Sequence, residues 1–323
     1  MENYIETAKE IYKDAALNPQ PGLCCTTSPV WRFPDLRIPA KMLEMNYGCG
    51  STVHPVDLIE NPKILYVGIG GGMELLQFSY FSRNKNAVTG IDAVDEMIKI
   101  CDENLIEAEK LNPWFKREFV NLIPGDALNL NIESNSIDIA AQNCLFNIFK
   151  GNDLRKAVVE MYRALKPNGK LILSDPVSES EMPENLVNDE KLRALCLSGA
   201  IPLNDYIKIL TDTGFGTVEV RAKRPYRILS PNKFNTDKII FIESVEVAAI
   251  KNPVPEDGPC VFTGKSAIYF GNDEYFDDGK GHALIPNQPM SICDKTAQAL
   301  SNLERDDIYI SGSTFFYNGG GGC

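Results

Sequence analysis

From Pro62 onward, apolar runs alternate with stretches of mixed helical pattern. Ile64-Leu65-Tyr66-Val67 is short and wholly apolar, ends on a glycine turn, and is followed by a helical stretch over 73–82 and a second run, Ala87-Val88-Thr89-Gly90-Ile91-Asp92. Strand, turn, helix, strand in that order make a βαβ unit. The alternation continues through a helix near 94–110, the run Phe119-Val120-Asn121-Leu122-Ile123, the run Ile137-Asp138-Ile139-Ala140-Ala141, a helix near 154–165 and the run Gly169-Lys170-Leu171-Ile172-Leu173-Ser174. The pattern predicts an α/β fold with a doubly wound, mostly parallel sheet. Residues 184–213 read as further helices, and 217–222 and 238–249 as the antiparallel strands that often close such a sheet.

The flanks differ. Tyr4 to Tyr12 carries apolar residues near helical spacing and runs into the breaker cluster Asn18-Pro19-Gln20-Pro21-Gly22, after which an irregular, cysteine-bearing loop is expected. Residues 251–259, dense in proline and turn formers, read as a linker. Three parts follow: an N-terminal helical and cysteine-loop segment (1–60), the α/β domain (61–250), and a smaller α+β module (251–323) with short β-like runs at Ala267-Ile268-Tyr269-Phe270 and Ile308-Tyr309-Ile310.

At 323 residues, 44% hydrophobic and 24% charged, the chain has the composition of a folded globular protein. Its net charge of -12 repels phosphate backbones and anionic membrane surfaces, which argues against nucleic acid or a membrane as partner. Neither a long apolar span nor a secretory pattern at the start is seen, so a cytoplasmic location is expected. Nine cysteines are many for such a chain, and an odd number in a chain this long suits reactive or element-binding thiols better than a disulfide framework.

Val67-Gly68-Ile69-Gly70-Gly71-Gly72 follows one strand and opens a helix, so a ligand can approach its backbone at the carboxyl end of the sheet. Such a turn also serves as a plain tight connection or in dinucleotide sites. Asp92, about twenty residues on, ends the next strand, where a carboxylate can accept hydrogen bonds from both ribose hydroxyls of an adenosine. At the third strand's end, Pro124-Gly125-Asp126-Ala127 offers an acid and a backbone amide to bracket an adenine. With Leu165-Lys166-Pro167-Asn168-Gly169-Lys170 before the fifth strand, the arrangement resembles class I S-adenosylmethionine-dependent methyltransferases, although the glycine turn departs from the commoner acid-containing first motif. The resemblance implies a cofactor set of Gly68, Gly70, Asp92, Met97, Asp126, Ala127 and Asn143.

A narrower resemblance lies in the cysteine contexts. Tyr47-Gly48-Cys49-Gly50-Ser51, Asn143-Cys144-Leu145-Phe146-Asn147 and Leu195-Cys196-Leu197-Ser198-Gly199-Ala200 resemble the three arsenic-binding segments of arsenite S-adenosylmethionine methyltransferases, and the region after the linker resembles their arsenosugar-pathway branch. That implies As(III), arriving as arsenite or its thiol conjugate, bound by Cys49, Cys144 and Cys196. The chemistry is coherent, because trivalent arsenic is soft and prefers thiolates, and three sulfurs leave its lone pair free to attack a sulfonium methyl. The resemblance also implies that Cys24 and Cys25 form disulfides in turnover, reset by thioredoxin or glutathione. The flanking glycines of Cys49 suggest an exposed loop, Cys101 reads as helix packing, and His54 and His282 read as structural or incidental. Cys260, Cys293 and Cys323 have open roles, and the acidic stretch 273–278 lacks calcium-loop spacing and reads as a solvated turn. Two alternatives stay open: a methyltransferase for a small organic molecule with structural cysteines, and a non-catalytic metalloid-binding or sensing protein.

Overall fold

The computed structural model describes residues 3–20, 23 and 33–315. Cys24, Cys25 and Cys323 therefore lie outside the described residues.

The helices are α1 (Tyr4–Leu17), α2 (Ala40–Glu44), α3 (Met73–Ser79), α4 (Asp95–Leu111), α5 (Gly151–Ala164), α6 (Glu184–Val187), α7 (Glu190–Ala194), α8 (Leu203–Thr213), α9 (Pro231–Phe234) and α10 (Asp294–Ser301). Nine strands share the main sheet: β1 (Ile64–Val67), β2 (Val88–Asp92), β3 (Val120–Pro124), β4 (Ile137–Asn143), β5 (Leu165–Ser178), β6 (Ile201–Pro202), β7 (Thr217–Leu229), β8 (Ile240–Ile250) and β9 (Cys260–Phe262). Their order is β3-β2-β1-β4-β5-β8-β7-β9, with β6 pairing β5 off this path. The pairs from β3 through β5 are parallel, and β8 runs antiparallel to both β5 and β7. The sheet is thus the doubly wound, mostly parallel one expected.

Alternation in β1 shows why it is buried on both faces. Ile64 and Tyr66 join an apolar layer with Phe78 and Leu105 of α3 and α4, while Leu65 and Val67 join one with Leu154 and Met161 of α5. A strand covered on both sides needs no polar position, hence its uninterrupted apolar run. In α5 the buried residues Leu154, Ala157, Val158, Met161 and Ala164 recur at three- and four-residue steps, the stripe that docks a helix on a sheet. Helix α8 ends at Gly214, whose φ of 113° suits a glycine C-terminal stop.

Beyond residue 250, β10 (Lys265–Tyr269), β13 (Met290–Ile292) and β14 (Ile308–Ile310) form a separate antiparallel sheet, and β11 (Phe276–Asp277) pairs with β12 (Ala283–Leu284). Its small core of Ala267, Tyr269, Leu284, Ile292, Ala297 and Leu300 is distinct from the main ones. Strand β9 joins the two parts: it follows the linker yet pairs in parallel with β7 at the main sheet's edge. Among the described residues no helix is long and apolar enough to cross a membrane.

Candidate cofactor cleft and cysteine site

One cleft opens at the carboxyl ends of β1, β2, β3 and β4, where the strand order reverses around β1. Gly68, Gly70, Asp92, Met97, Asp126, Ala127 and Asn143 all line it, so the fold gathers every residue of the anticipated cofactor set. The turn glycines divide by role. A Cβ on Gly71 would lie 2.8 Å from Met45 Cβ and one on Gly72 2.7 Å from Cys101 Sγ, so these two serve packing. At Gly68 and Gly70 nothing lies closer than 3.4 Å, but their φ values of 80° and 50° are left-handed, and the bare backbone is left facing the cleft.

Asp92 is oriented by two backbone donors: Ile69 N–H donates to Oδ2 at 3.0 Å and Val94 N–H to Oδ1 at 3.0 Å. Burial pushes its carboxyl up to about 6, against the lowering effect of the amides of Val94, Ile69 and Ala93. A carboxylate so held offers its remaining lone pairs to vicinal hydroxyls, and this donor and acceptor set fits an adenosine ribose. Leu128 N–H similarly fixes Asp126 through Oδ1 at 2.9 Å. The residues present therefore fit S-adenosylmethionine.

Helix α1 contributes the opposite wall with Ile5, Ala8, Lys9 and Tyr12. It is tied across the cleft by Thr7 Oγ1 donating to Glu190 Oε2 at 3.0 Å, by Tyr12 donating to the Ala194 carbonyl at 3.2 Å, and by the Lys13–Glu96 ion pair at 2.7 Å. Both Glu190 and Ala194 belong to α7, which leads into Cys196.

The three cysteines converge near the ends of β4 and β5. Asn143 is the staple: Cys49 N–H donates to its Oδ1 at 2.9 Å, and its Nδ2 donates to Gly50 O and to Glu74 Oε1, each at 2.9 Å. Its amide is committed to the Cys49 loop and to α3, so what it does for a cofactor is to position that loop at the cleft wall. The next residue is Cys144, also in the cleft lining. The Cys196 thiol donates to the Cys144 carbonyl at 2.9 Å, and the Cys49 thiol faces Ser174 Oγ at 3.3 Å. Cys144 and Cys196 both hold left-handed backbone, φ 59° and 56°, which costs an L-residue roughly 1–2 kcal/mol.

Cys49 is buried, at 1% exposure, contrary to the loop expected from its glycines. Those glycines serve close docking: a Cβ on Gly48 would fall 2.3 Å from Asn143 Nδ2, and one on Gly50 2.3 Å from Ser174 Oγ. Cys196 follows α7 in a turn and not within a helix. Hydrogen bonds join the three cysteine segments, Cys49 to Asn143 and Cys196 to the Cys144 carbonyl, but among the described residues no three His, Cys, Asp or Glu side chains form a group placed to hold a metal ion.

The sequence reading missed Glu74 and Tyr66, which line the cleft beside Asn143. Glu74 is the one charged residue on the wholly buried helix MELLQFS, and that anomaly was its only signal. Burial raises its carboxyl, offset by hydrogen bonds from Asn143 and Tyr66, and burial with the Glu74 charge pushes the Tyr66 hydroxyl well up. Also missed was Asp175, fully buried, which accepts from Tyr206 Oη at 2.6 Å and from Gln142 Nε2. His54 contacts Ser51 O at 3.1 Å and Glu246 at 3.4 Å, and His282 faces Asp278 at 2.6 Å. Neither histidine lines the cleft.

Residues 65–173 match the methyltransferase domain family. Over 300 residues the chain is 28% identical to an arsenite methyltransferase of Aquipseudomonas alcaligenes, covering 86% of this chain and 81% of that protein. It is 30% identical over 207 residues to an arsenite methyltransferase of Mus musculus, covering 63% of this chain and half (50%) of the mouse protein's length. A solved arsenic(III) S-adenosylmethionine methyltransferase from Chlamydomonas reinhardtii shares the fold at TM-score 0.59 and 20% identity, with 90% of this chain and 99% of that chain covered.

Proposed function

The chain is an S-adenosylmethionine-dependent methyltransferase related to the arsenite methyltransferases, and we propose that it methylates trivalent arsenic held by Cys49, Cys144 and Cys196. The observation that carries this reading is the Asn143 staple, which docks the Cys49 loop at the wall of the cofactor cleft one residue from Cys144.

In this reading the backbone at Gly68 and Gly70, the Asp92 carboxylate, Met97, and the Asp126 and Ala127 pair hold S-adenosylmethionine, which supplies an electrophilic sulfonium methyl. Arsenite enters by exchanging three hydroxyls for three sulfurs. Each thiol proton leaves with a hydroxide as water, so the site needs no separate base. Cys49 and Cys196 give up their oxygen partners, Ser174 and the Cys144 carbonyl, in favour of arsenic. The arsenic lone pair then faces the cleft. All three thiols are buried, at 1%, 4% and 0% exposure, which excludes competing water. Holding nucleophile and methyl near contact supplies about 7–11 kcal/mol of the barrier reduction. Transfer leaves arsenic formally pentavalent. Two electrons from a thiol pair restore the trivalent state, the pair leaving as a disulfide that thioredoxin or glutathione reduces. Cys24 and Cys25 are the proposed shuttle. A cytoplasmic, thiol-rich setting suits this chemistry.

The test is to incubate the protein with arsenite, S-adenosylmethionine and excess thiol, and to separate arsenic species by chromatography with elemental detection. Methylated arsenic is the expected product, and unchanged arsenite despite cofactor binding overturns the reading. A second reading, a small organic acceptor with structural cysteines, draws on the hydrogen-bonded resting thiols and the absence of a closed three-ligand group among the described residues. It requires that arsenite leave thiol alkylation rates unchanged.

A further inference from the structure

Cys260 and Cys293 meet where the C-terminal module joins the main sheet. Cys260 opens β9, its N–H donating to Gly216 O at 2.8 Å, and Cys293 caps the N-terminus of α10. Two contacts fix the turn from β9 into β10 against the helix: Thr263 Oγ1 donates to Asp294 Oδ1 at 2.7 Å, and Lys265 Nζ pairs with Asp294 at 3.0 Å. Gly258 and Thr263, on either side of Cys260, are thus bonded to Lys295 and Asp294, which directly follow Cys293, so the two cysteines are neighbours, with the Lys295 ammonium beside Cys260. Lys295 is itself anchored on Asp257 and on the Gly258 carbonyl at 2.6 Å. Cys260 is half-buried and reachable, whereas Cys293 is buried and touches Thr296 Oγ1 at 3.2 Å. Burial and the Cys293 neighbour raise the Cys260 thiol, partly offset by Lys295, so Cys260 rests as a neutral thiol.

We propose that Cys260 and Cys293 form a two-thiol site for monosubstituted trivalent arsenicals, separate from the three-cysteine site. The valence decides the ligand class. Inorganic arsenite has three exchangeable hydroxyls and is best matched by three sulfurs, but a monosubstituted arsenical has one As–C bond and only two exchangeable positions. Among the described residues no third Cys, His, Asp or Glu joins this pair as a ligand group. Soft arsenic in turn selects the two sulfurs over the nearby carboxylates. The exchange balances without electron transfer: two As–O bonds break, two As–S bonds form, each thiol proton leaves with hydroxide as water, and arsenic stays trivalent. Cys260, the reachable thiol with a cation at hand, makes the first bond and Cys293 closes the chelate. The assignment of this ligand rests on the arsenic reading above, because its product after one transfer and reduction is such a monosubstituted species.

The experiment is alkylation of the reduced full chain by iodoacetamide, with Cys260 followed by peptide mass spectrometry, in the presence of methylarsonous acid, of arsenite, or of neither. No S-adenosylmethionine is added, so failure of methyl transfer and failure of this site are read separately. With methylarsonous acid at tenfold its dissociation constant, Cys260 alkylation slows about tenfold. Arsenite protects far less, and Cys293→Ser abolishes the protection by methylarsonous acid. Unchanged Cys260 alkylation in the wild-type chain overturns the proposal, as does protection that survives Cys293→Ser. Circular dichroism confirms that the variant is folded, and the wild-type comparison is decisive without it.

Discussion

The Cys196 thiol donates a 2.9 Å hydrogen bond to the carbonyl oxygen of Cys144, joining two residues that both hold left-handed backbone. The turn after β4 and the turn after α7 are thereby locked together at the cleft, and a thiol that has an oxygen partner at rest must leave it to bind arsenic. Serine at position 196 keeps a donor for that carbonyl. Cys196→Ser is therefore expected to fold and bind S-adenosylmethionine like the wild type, yet lose arsenic methylation by on the order of 10²-fold or more, because a nucleophile misplaced by about 1 Å already costs that much. Cofactor titration alongside arsenic speciation checks it, and retained methylation in this variant removes Cys196 from the site.

Gly48 gives a prediction of a different kind. A methyl group there meets the Asn143 amide at 2.3–2.9 Å, so Asn143 has to move and release Cys49 N–H and Gly50 O. Gly48→Ala should lower stability by about 1–3 kcal/mol, the usual cost of overpacking. It should also reduce arsenic methylation more than cofactor affinity, since Gly68 and Asp92 are untouched. Thermal melts with and without cofactor separate the two effects.

Asp92 carries a pH signature. Its carboxyl is raised to about 6, so in the free protein this group contributes stability that is present at low pH and lost as pH rises through about 6. Cofactor binding has the opposite sign, because only the carboxylate can accept from two ribose hydroxyls. S-adenosylmethionine affinity should fall as pH drops below about 6, approaching about tenfold per pH unit where the carboxylate form alone binds. Calorimetric titration between pH 8 and pH 5 reads this, and Asp92→Asn should bind weakly with a flat profile. A wild-type profile without the drop removes Asp92 from ribose recognition.

The main sheet was legible because its signal is local: each apolar run of β1 to β5 needs only its own neighbours to declare a buried parallel strand. The cofactor residues were legible for the same reason, since Gly68, Gly70, Asp92, Asp126 and Ala127 all sit at strand ends, and all line one cleft. Contacts distant in sequence were less so. Neither the glycines around Cys49 nor the asparagine before Cys144 announces that they are one joint, because Gly48 and Asn143 are 95 positions apart and packing alone brings them together. The same glycines were misread as marks of exposure, when glycine equally permits a backbone to lie flush against its neighbours. The closure of the cleft by α1 was invisible too, since Thr7 and Tyr12 find their partners on α7, nearly the length of the domain away.

The Cys49 loop has a second anchorage, and breaking it should be felt at a distance. Asp57, fully buried six residues beyond Ser51, takes both terminal nitrogens of Arg221 and also Lys170 at 2.8 Å, while Arg221 pairs with Glu219 at 2.7 Å. Burial alone would raise the Asp57 carboxyl, but Arg221 and Lys170 hold it below the usual carboxylate range. The pairing therefore contributes stability above the ordinary aspartate range that is lost as pH falls below about 4. Arg221→Ala leaves the Asp57 carboxylate with Lys170 alone and should cost about 3–5 kcal/mol, the usual result of removing one partner of a buried pair. Asp57→Asn in the Arg221→Ala background should recover part of that loss, because a neutral amide no longer demands a counter-charge. Denaturant melts of the two single variants and the double variant measure the coupling, and additive losses show that the two side chains do not act as a pair.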